Sequence, residues 1–257
     1  MSRINKLFES KNKEVLNMYC TAGYPRLDST LEIMAALQEG GADLIELGMP
    51  YSDPLADGPV IQASGTKALE NGMTLAKLFE QLEKMRPAIR IPVLLMGYMN
   101  PVLQYGFEKF CADAAAAGVD GLILPDLPMY EFETEYGALI RRHGLDFVFL
   151  VTPETSDERV RRVDALSSGF LYAVSSSSTT GKDKNMGDQQ AYFKRLQGLG
   201  LKNPVLVGFG IRDRQTFLDA CRHTNGVIIG TAYIKALDAG PDIAAATRTF
   251  IHSITRK

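Results

Sequence analysis

The 257-residue sequence has little to tie it to nucleic acid, a membrane or an oxidising compartment. Its formal net charge of −2 offers no basic footprint, so neither nucleic acid nor an anionic membrane surface is an expected partner. No run approaches the ~18 apolar residues of a membrane-spanning helix. The first residues, MSRINKLFESKNKEV, lack the apolar centre of a secretory signal. Cysteine is scarce. Cys20, Cys111 and Cys221 lie far apart, form no CxxC pair and no zinc spacing, and read as buried thiols of a reducing compartment. The expectation is a cytoplasmic protein. Histidine is scarcer still for chemistry: His143, His223 and His252 fall at helix ends or on the last helix and read as surface residues. No His/Asp/Glu cluster marks a metal. No lysine stands at a strand end, where a Schiff-base enzyme needs one. Lys182 and Lys184 sit in a polar loop and read as solvated.

What is present is a repeating unit. Apolar runs occur at Val15 to Cys20, Leu44 to Leu47, Ile91 to Met96, Asp120 to Leu124, Phe147 to Val151, Phe170 to Val174, Pro204 to Val207 and Gly226 to Ile229. Helical patterns separate them, with Asp28, Thr74, Ser156 and Asp213 as expected N-caps and Gly40-Gly41, Asn71-Gly72, Gly118 and His143-Gly144 as stops. Strands apolar along their whole length belong to parallel sheets covered on both faces. Strict alternation with helices leaves an open doubly wound sheet or a closed barrel. The count and the length, near the ~250 residues typical of the closed form, favour the barrel. The expected architecture is α/β: one (β/α)8 TIM barrel domain over residues 1–257. Extra helices are expected at the N-terminus (3–9), after the second strand (59–71 and 74–85) and in the last unit (232–238 before 242–254).

Barrel active sites lie at the C-terminal ends of the strands and in the loops that follow. That sorting draws attention to Glu46, inside the second apolar run. Carboxylates are almost never fully buried without a partner. Glu46 is therefore either a strand-end residue facing water or one kept for chemistry. The loop after it carries Asp53, Pro54 and Asp57, and other strand exits carry Asn100, Asp126 and the serine–threonine run from Ser175. Late in the chain, Gly208-Phe209-Gly210 follows the seventh strand, and Gly230-Thr231 follows the eighth and opens a short helix. Loops in these two positions are the recurrent phosphate site of barrels. Glycine lets backbone N–H groups approach an anion, and a helix N-terminus supplies unpaired donors. Thr180-Gly181 offers a hydroxyl and another N–H. Any one glycine pair is also an ordinary tight turn, but two pairs in these loops favour phosphate. A phosphate anchor facing two carboxylates suggests acid–base chemistry on a small phosphorylated molecule, without metal or cofactor.

The stretch Glu46-Leu-Gly-Met-Pro-Tyr-Ser-Asp-Pro-Leu-Ala-Asp-Gly-Pro59, followed by Ile61-Gln62, resembles the signature of the tryptophan synthase alpha subunit family. Thr21 to Pro25, Met96 to Pro101, Pro125 to Pro128 and Gly208 to Ile211 extend the likeness along the chain. The resemblance implies a barrel that cleaves indole-3-glycerol phosphate to indole and glyceraldehyde 3-phosphate in the last steps of L-tryptophan biosynthesis. It also implies an alpha2beta2 complex, whose beta subunit holds pyridoxal phosphate and receives the indole, with no cofactor in this subunit. On the matching positions, Glu46 is the general acid–base residue and Asp57 the carboxylate that accepts the indole N–H. Tyr19 packs near the indole. Tyr172, Thr180, Gly181, Gly210, Gly230 and Thr231 line the substrate or hold its phosphate, and Tyr98, Ile123 and Phe209 complete the expected contacts. Asp53, Pro54, Asn100 and Pro101 fall in the loops expected to meet the beta subunit. The sequence departs from the family's pattern at Thr231, where serine is common, and in the Ser175 to Gly181 loop, where Arg and Gly are usual. A different phosphate-binding barrel, an isomerase or lyase using a lysine or paired aspartates, is the alternative. A scaffold without activity would be expected to lose Glu46 or Asp57.

Overall fold

The apolar runs all become parallel strands. The computed structural model describes residues 1–174, 186–208, 210–240 and 242–255, without the side chains of 186–188. Its segments are β1 (Val15–Thr21), β2 (Leu44–Gly48), β3 (Val93–Met96), β4 (Gly121–Ile123), β5 (Asp146–Phe147), β6 (Leu150–Val151), β7 (Leu171–Val174), β8 (Val205–Gly208) and β9 (Gly226–Ile229). They form one sheet in the order β5-β4-β3-β2-β1-β9-β8-β7-β6.

The two edges of that order, β5 and β6, are halves of a single stretch, the fifth expected strand. Val148 N–H donates to Leu122 O on one side (3.0 Å), and Phe149 O accepts from Tyr172 N–H on the other (3.0 Å). The fifth strand therefore pairs with β4 through its first half and with β7 through its second. The sheet closes, and the doubly wound alternative falls. The sixth, seventh and eighth expected strands are β7, β8 and β9.

Strand alternation sends successive side chains to opposite faces. One set, including Leu44, Leu94, Ile123, Val148, Phe170, Tyr172, Leu206 and Ile228, fills the barrel interior. The other, including Ile45, Leu47, Val93 and Leu95, packs beneath the helices. The N-terminal helix Arg3–Ser10 adds Ile4 and Phe8 to the interior set, with Phe8 6.2 Å from Phe170 between ring centroids. It thereby closes the N-terminal end and leaves the other end open.

Thr74, Ser156 and Asp213 cap their helices as expected, each accepting a backbone N–H three residues on. Asp28 does not. The helix Thr30–Gly40 starts after Ser29, whose hydroxyl turns back to Arg26 O, while Asp28 pairs loosely with the Arg26 guanidinium (3.8 Å). The exit of β3, expected as a loop, forms the helix Met99–Tyr105. Pro101 fits its first turn, where no partner for its missing N–H is needed. The three histidines are partly exposed, and His223 Nδ1 lies 2.9 Å from Gln197 Oε1. All three cysteines are buried and free. No described helix is long and apolar enough to cross a membrane.

At the closed end, buried Asp120 gathers three elements. Its carboxylate pairs with Arg3 (2.8 Å) and Arg86 (2.9 Å) and accepts Val93 N–H (2.8 Å). Removing one partner of a buried ion pair leaves the others unpaired, which costs roughly 3 kcal/mol or more. Asp120→Ala is therefore expected to lower the unfolding free energy by that order while leaving the open end intact, as equilibrium urea unfolding monitored by circular dichroism would measure.

Candidate active site

Glu46 is the third residue of β2, and strand parity turns it inward. In register it lies between Tyr19 on β1 and Leu94 on β3. It is 1% exposed, so the solvent-facing reading is excluded. Its carboxylate receives a single side-chain hydrogen bond among the described residues, from Asn17 Nδ2 to Oε2 at 3.1 Å. Burial pushes the Glu46 carboxyl up to about 8; the Asn17 N–H draws it down and the Asp57 charge adds to the rise.

Asp57 sits in the loop between β2 and the helix Pro59–Glu70. Two tight turns shape the loop: Leu55 N–H to Asp53 O (2.9 Å) and Asp57 N–H to Pro54 O (3.1 Å). Tyr98, after β3, braces it from the side. Its hydroxyl accepts Ala56 N–H (3.0 Å) and donates to the Asp57 carboxylate. Tyr51 packs against Tyr98 with ring centroids 5.5 Å apart and takes a hydrogen bond from Asn100 Nδ2 (2.9 Å). Burial pushes Asp57 up to about 6, and the Tyr98 hydrogen bond restrains the rise. Near neutrality Glu46 keeps its proton while Asp57 is mostly ionised. Two carboxyl groups in one site are thus held in opposite states by their surroundings.

Both groups line one open cleft at the barrel mouth. Tyr19, Tyr172, Met96 and Ile228 form its apolar walls. Glycines on neighbouring strands make room for both tyrosines. A Cβ on Gly48 would lie 2.1 Å from the Tyr19 hydroxyl, and one on Gly208 2.2 Å from that of Tyr172. Burial raises both phenols well above their ordinary range, so they stay neutral. Across from the carboxyls lie Gly210, Ile211, Gly230 and Thr231. Gly230 precedes the helix Thr231–Asp238, whose first N–H groups receive no side-chain cap, and Gly210 takes φ +78°, a conformation that favours glycine. Among the described residues no Lys or Arg lines the cleft; N–H groups at the helix start and the Thr231 hydroxyl are the donors offered to an anion there.

The structure thus brings together Glu46, Asp57, Tyr19, Tyr172, Gly210, Gly230 and Thr231. Tyr98 touches Asp57 rather than lining the cleft. Ile123 is fully buried in the barrel interior and does not line it either. Asp126 accepts Met99 N–H through its carboxylate (3.0 Å) and starts the helix after β3, so its role is structural. Thr180, Gly181 and Phe209 lie outside the described residues, as do Lys182 and Lys184. Asp53, Pro54, Asn100 and Pro101 sit around the same mouth, half-buried or exposed. Sequence reasoning missed Gly58, Ile61, Met96, Ile211 and Ile228 as lining residues. Strand parity signals Met96 and Ile228, which share the inward face of β3 and β9 with Leu94 and Gly226.

Comparison with known proteins agrees with this geometry. The family model described as tryptophan synthase alpha chain matches residues 6–254. The tryptophan synthase alpha chain of Parabacteroides distasonis is 48% identical over 255 residues, 99% of either chain. That of Flavobacterium johnsoniae is 51% identical over 238 residues, 92% of this chain and 94% of the relative. Among solved structures, tryptophan synthase subunit alpha from Legionella pneumophila superposes with a TM-score of 0.89 at 34% identity, over 99% of this chain and 97% of the other. An aminoacrylate-bound tryptophan synthase from Mycobacterium tuberculosis gives 0.86 at 34% identity, over 99% and 100%. The chain belongs to the tryptophan synthase alpha chain family.

Proposed function

We propose that the cleft cleaves indole-3-glycerol phosphate to indole and glyceraldehyde 3-phosphate, with Glu46 as general acid–base and Asp57 as charge stabiliser. The observation that carries this reading is the pairing of a protonated, buried Glu46 with a mostly ionised Asp57, opposite a rim of backbone donors. The carbon–carbon bond cannot break while the indole ring is aromatic, because its electrons have nowhere to go. Glu46 gives its proton to the ring carbon that bears the glycerol chain. The ring becomes an iminium-like cation, and the Asp57 carboxylate stabilises charge at the ring N–H. The bond's electron pair then flows back into the ring, and the adjacent hydroxyl becomes the aldehyde as its proton passes to the Glu46 carboxylate. Gly210, Gly230 and Thr231 hold the phosphate, and Tyr19 and Tyr172 pack the indole. Thr180, Gly181 and Phe209 are assigned to the same contacts by family position.

Proton transfers between protein carboxyls and substrate balance this reaction. Pyridoxal phosphate is accordingly assigned to the beta subunit, which receives the indole in an alpha2beta2 assembly in the cytoplasm. Asp53, Pro54, Asn100 and Pro101 are assigned to that contact. Support comes from Leu55 and Leu103, apolar side chains 89% and 47% exposed beside them at the same mouth.

Glu46→Gln removes the transferable proton. Its kcat is expected to fall by ~10³-fold or more in an indole-release assay. The same change should stabilise the fold at alkaline pH. The unfolded chain releases this proton near 4.5, the folded protein only near 8. Stability is therefore lost as pH rises between those values. Urea titrations should find Glu46→Gln more stable than the parent by at least about 1 kcal/mol at pH 9, with the gap closing near pH 4. The pH profile of kcat/KM should rise near 6 as Asp57 ionises and fall near 8 as Glu46 loses its proton. Asp57→Asn should erase the acid limb and lower kcat by ~10²–10³-fold.

A further inference from the structure

Asn17 is polar, wholly buried, and unexplained by the barrel's packing. It lies on β1 two residues before Tyr19, with its side chain in the interior among apolar neighbours. Its Nδ2 donates to Glu46 Oε2 at 3.1 Å, while its Oδ1 is buried with no hydrogen-bond partner. An unpaired buried acceptor costs roughly 1–3 kcal/mol, so an apolar residue of similar size would serve the fold better. A side chain held at that cost, with its one hydrogen bond aimed at the acid–base group, has the mark of a residue kept for the reaction.

We infer that Asn17 is the positioning residue of Glu46: by donating to Oε2 it directs the transferable proton to Oε1. This rests on the proposed role of Glu46. A carboxylic acid carries its proton on either oxygen, and only one of these isomers is productive. An N–H fixed against Oε2 cannot share that oxygen's lone pair with a proton directed at it, so the acid is held as the Oε1–H form. The same bond stops the carboxyl from rotating. After transfer it still meets a carboxylate on Oε2, so the group is ready to take the hydroxyl proton without rearrangement. Asn17 touches no substrate atom in this scheme.

Among the described residues, the ionisable groups that face Glu46 are Asp57 in the loop after β2, Tyr19 on β1 and Tyr172 on β7, while the Cys20 thiol feels its charge from the opposite face of β1. None is a cation, and all raise or are raised by the Glu46 charge. The Asn17 N–H is the one contact that favours the carboxylate. Its loss therefore moves the Glu46 titration upward, in the direction a general structural defect does not predict.

The test uses Asn17→Leu and the smaller Asn17→Val in the full chain, with Glu46→Gln measured alongside and thermal unfolding as the control for folding. Either apolar variant removes the unpaired Oδ1 but leaves Glu46 Oε2 without its donor, two costs of similar size, so stability close to the parent's is expected. The plateau kcat for indole release should fall roughly 10- to 100-fold, the range of a lost hydrogen bond to a charged group. KM should change less than threefold, and the alkaline limb of kcat/KM should move to higher pH. Folded variants that keep the parent kcat and the parent alkaline limb would overturn the inference. If Glu46→Gln itself retains activity, the role of Glu46 is what fails. If Glu46→Gln is inactive and the Asn17 variants are unchanged, only the role of Asn17 fails.

Discussion

Desolvation of the Glu46 carboxyl is the constraint on which the open end of the barrel depends. A closed sheet with an apolar interior leaves a carboxyl on β2 with one amide and no cation for a partner among the described residues, so it keeps its proton at neutral pH. A protonated carboxyl within reach of a ring carbon is what a retro-aldol cleavage needs at its first step. The barrel supplies that state through burial, and closure at its other end by Ile4 and Phe8 completes it. Asp57 must do the opposite. It stands on a loop, half-buried, with the Tyr98 hydroxyl against its charge. Two residues of similar chemistry, one on a strand and one on a loop, are thus separated in proton affinity by depth and by the kind of donor each meets.

The remaining contacts follow from fitting large rings into a narrow mouth. Tyr19 and Tyr172 cross the inward face only because Gly48 and Gly208 offer no Cβ to obstruct them. Gly230 closes on Tyr19 from the other side, its absent Cβ falling 3.3 Å from that of the tyrosine. Gly230 therefore brings the rim of backbone donors close to the apolar wall. A substrate with a flat apolar end and an anionic end matches that spacing, with no lysine or arginine among the described residues that line the cleft.

Much of this was legible from local pattern. Apolar runs gave the strands, and Thr74, Ser156 and Asp213 gave helix starts, because a strand's hydrophobicity and a cap's hydrogen bond are both made within a few residues. Glu46 stood out as a charge in an apolar run. Asn17 carried the same signal, a polar residue in the first strand, and was passed over because an amide is a weaker anomaly than a carboxylate. What local pattern could not give depends on contacts between distant loops. The helix Met99–Tyr105 is set by Asp126 from the next strand exit, and Tyr98 finds Asp57 only once both loops are in place. Ile123 is a substrate contact only by family resemblance; depth within the barrel, which no linear pattern records, sets it apart from the residues that line the cleft.

The central claim is that Glu46 is a neutral acid at physiological pH because the fold buries it. The most direct measurement is a carbon-13 NMR titration of the glutamate side-chain carboxyls in the ligand-free chain, with the Glu46 signal assigned by its absence from Glu46→Gln. The account predicts an inflection near pH 8 for that signal. An inflection near 4.5, the ordinary value for a glutamate, would contradict it.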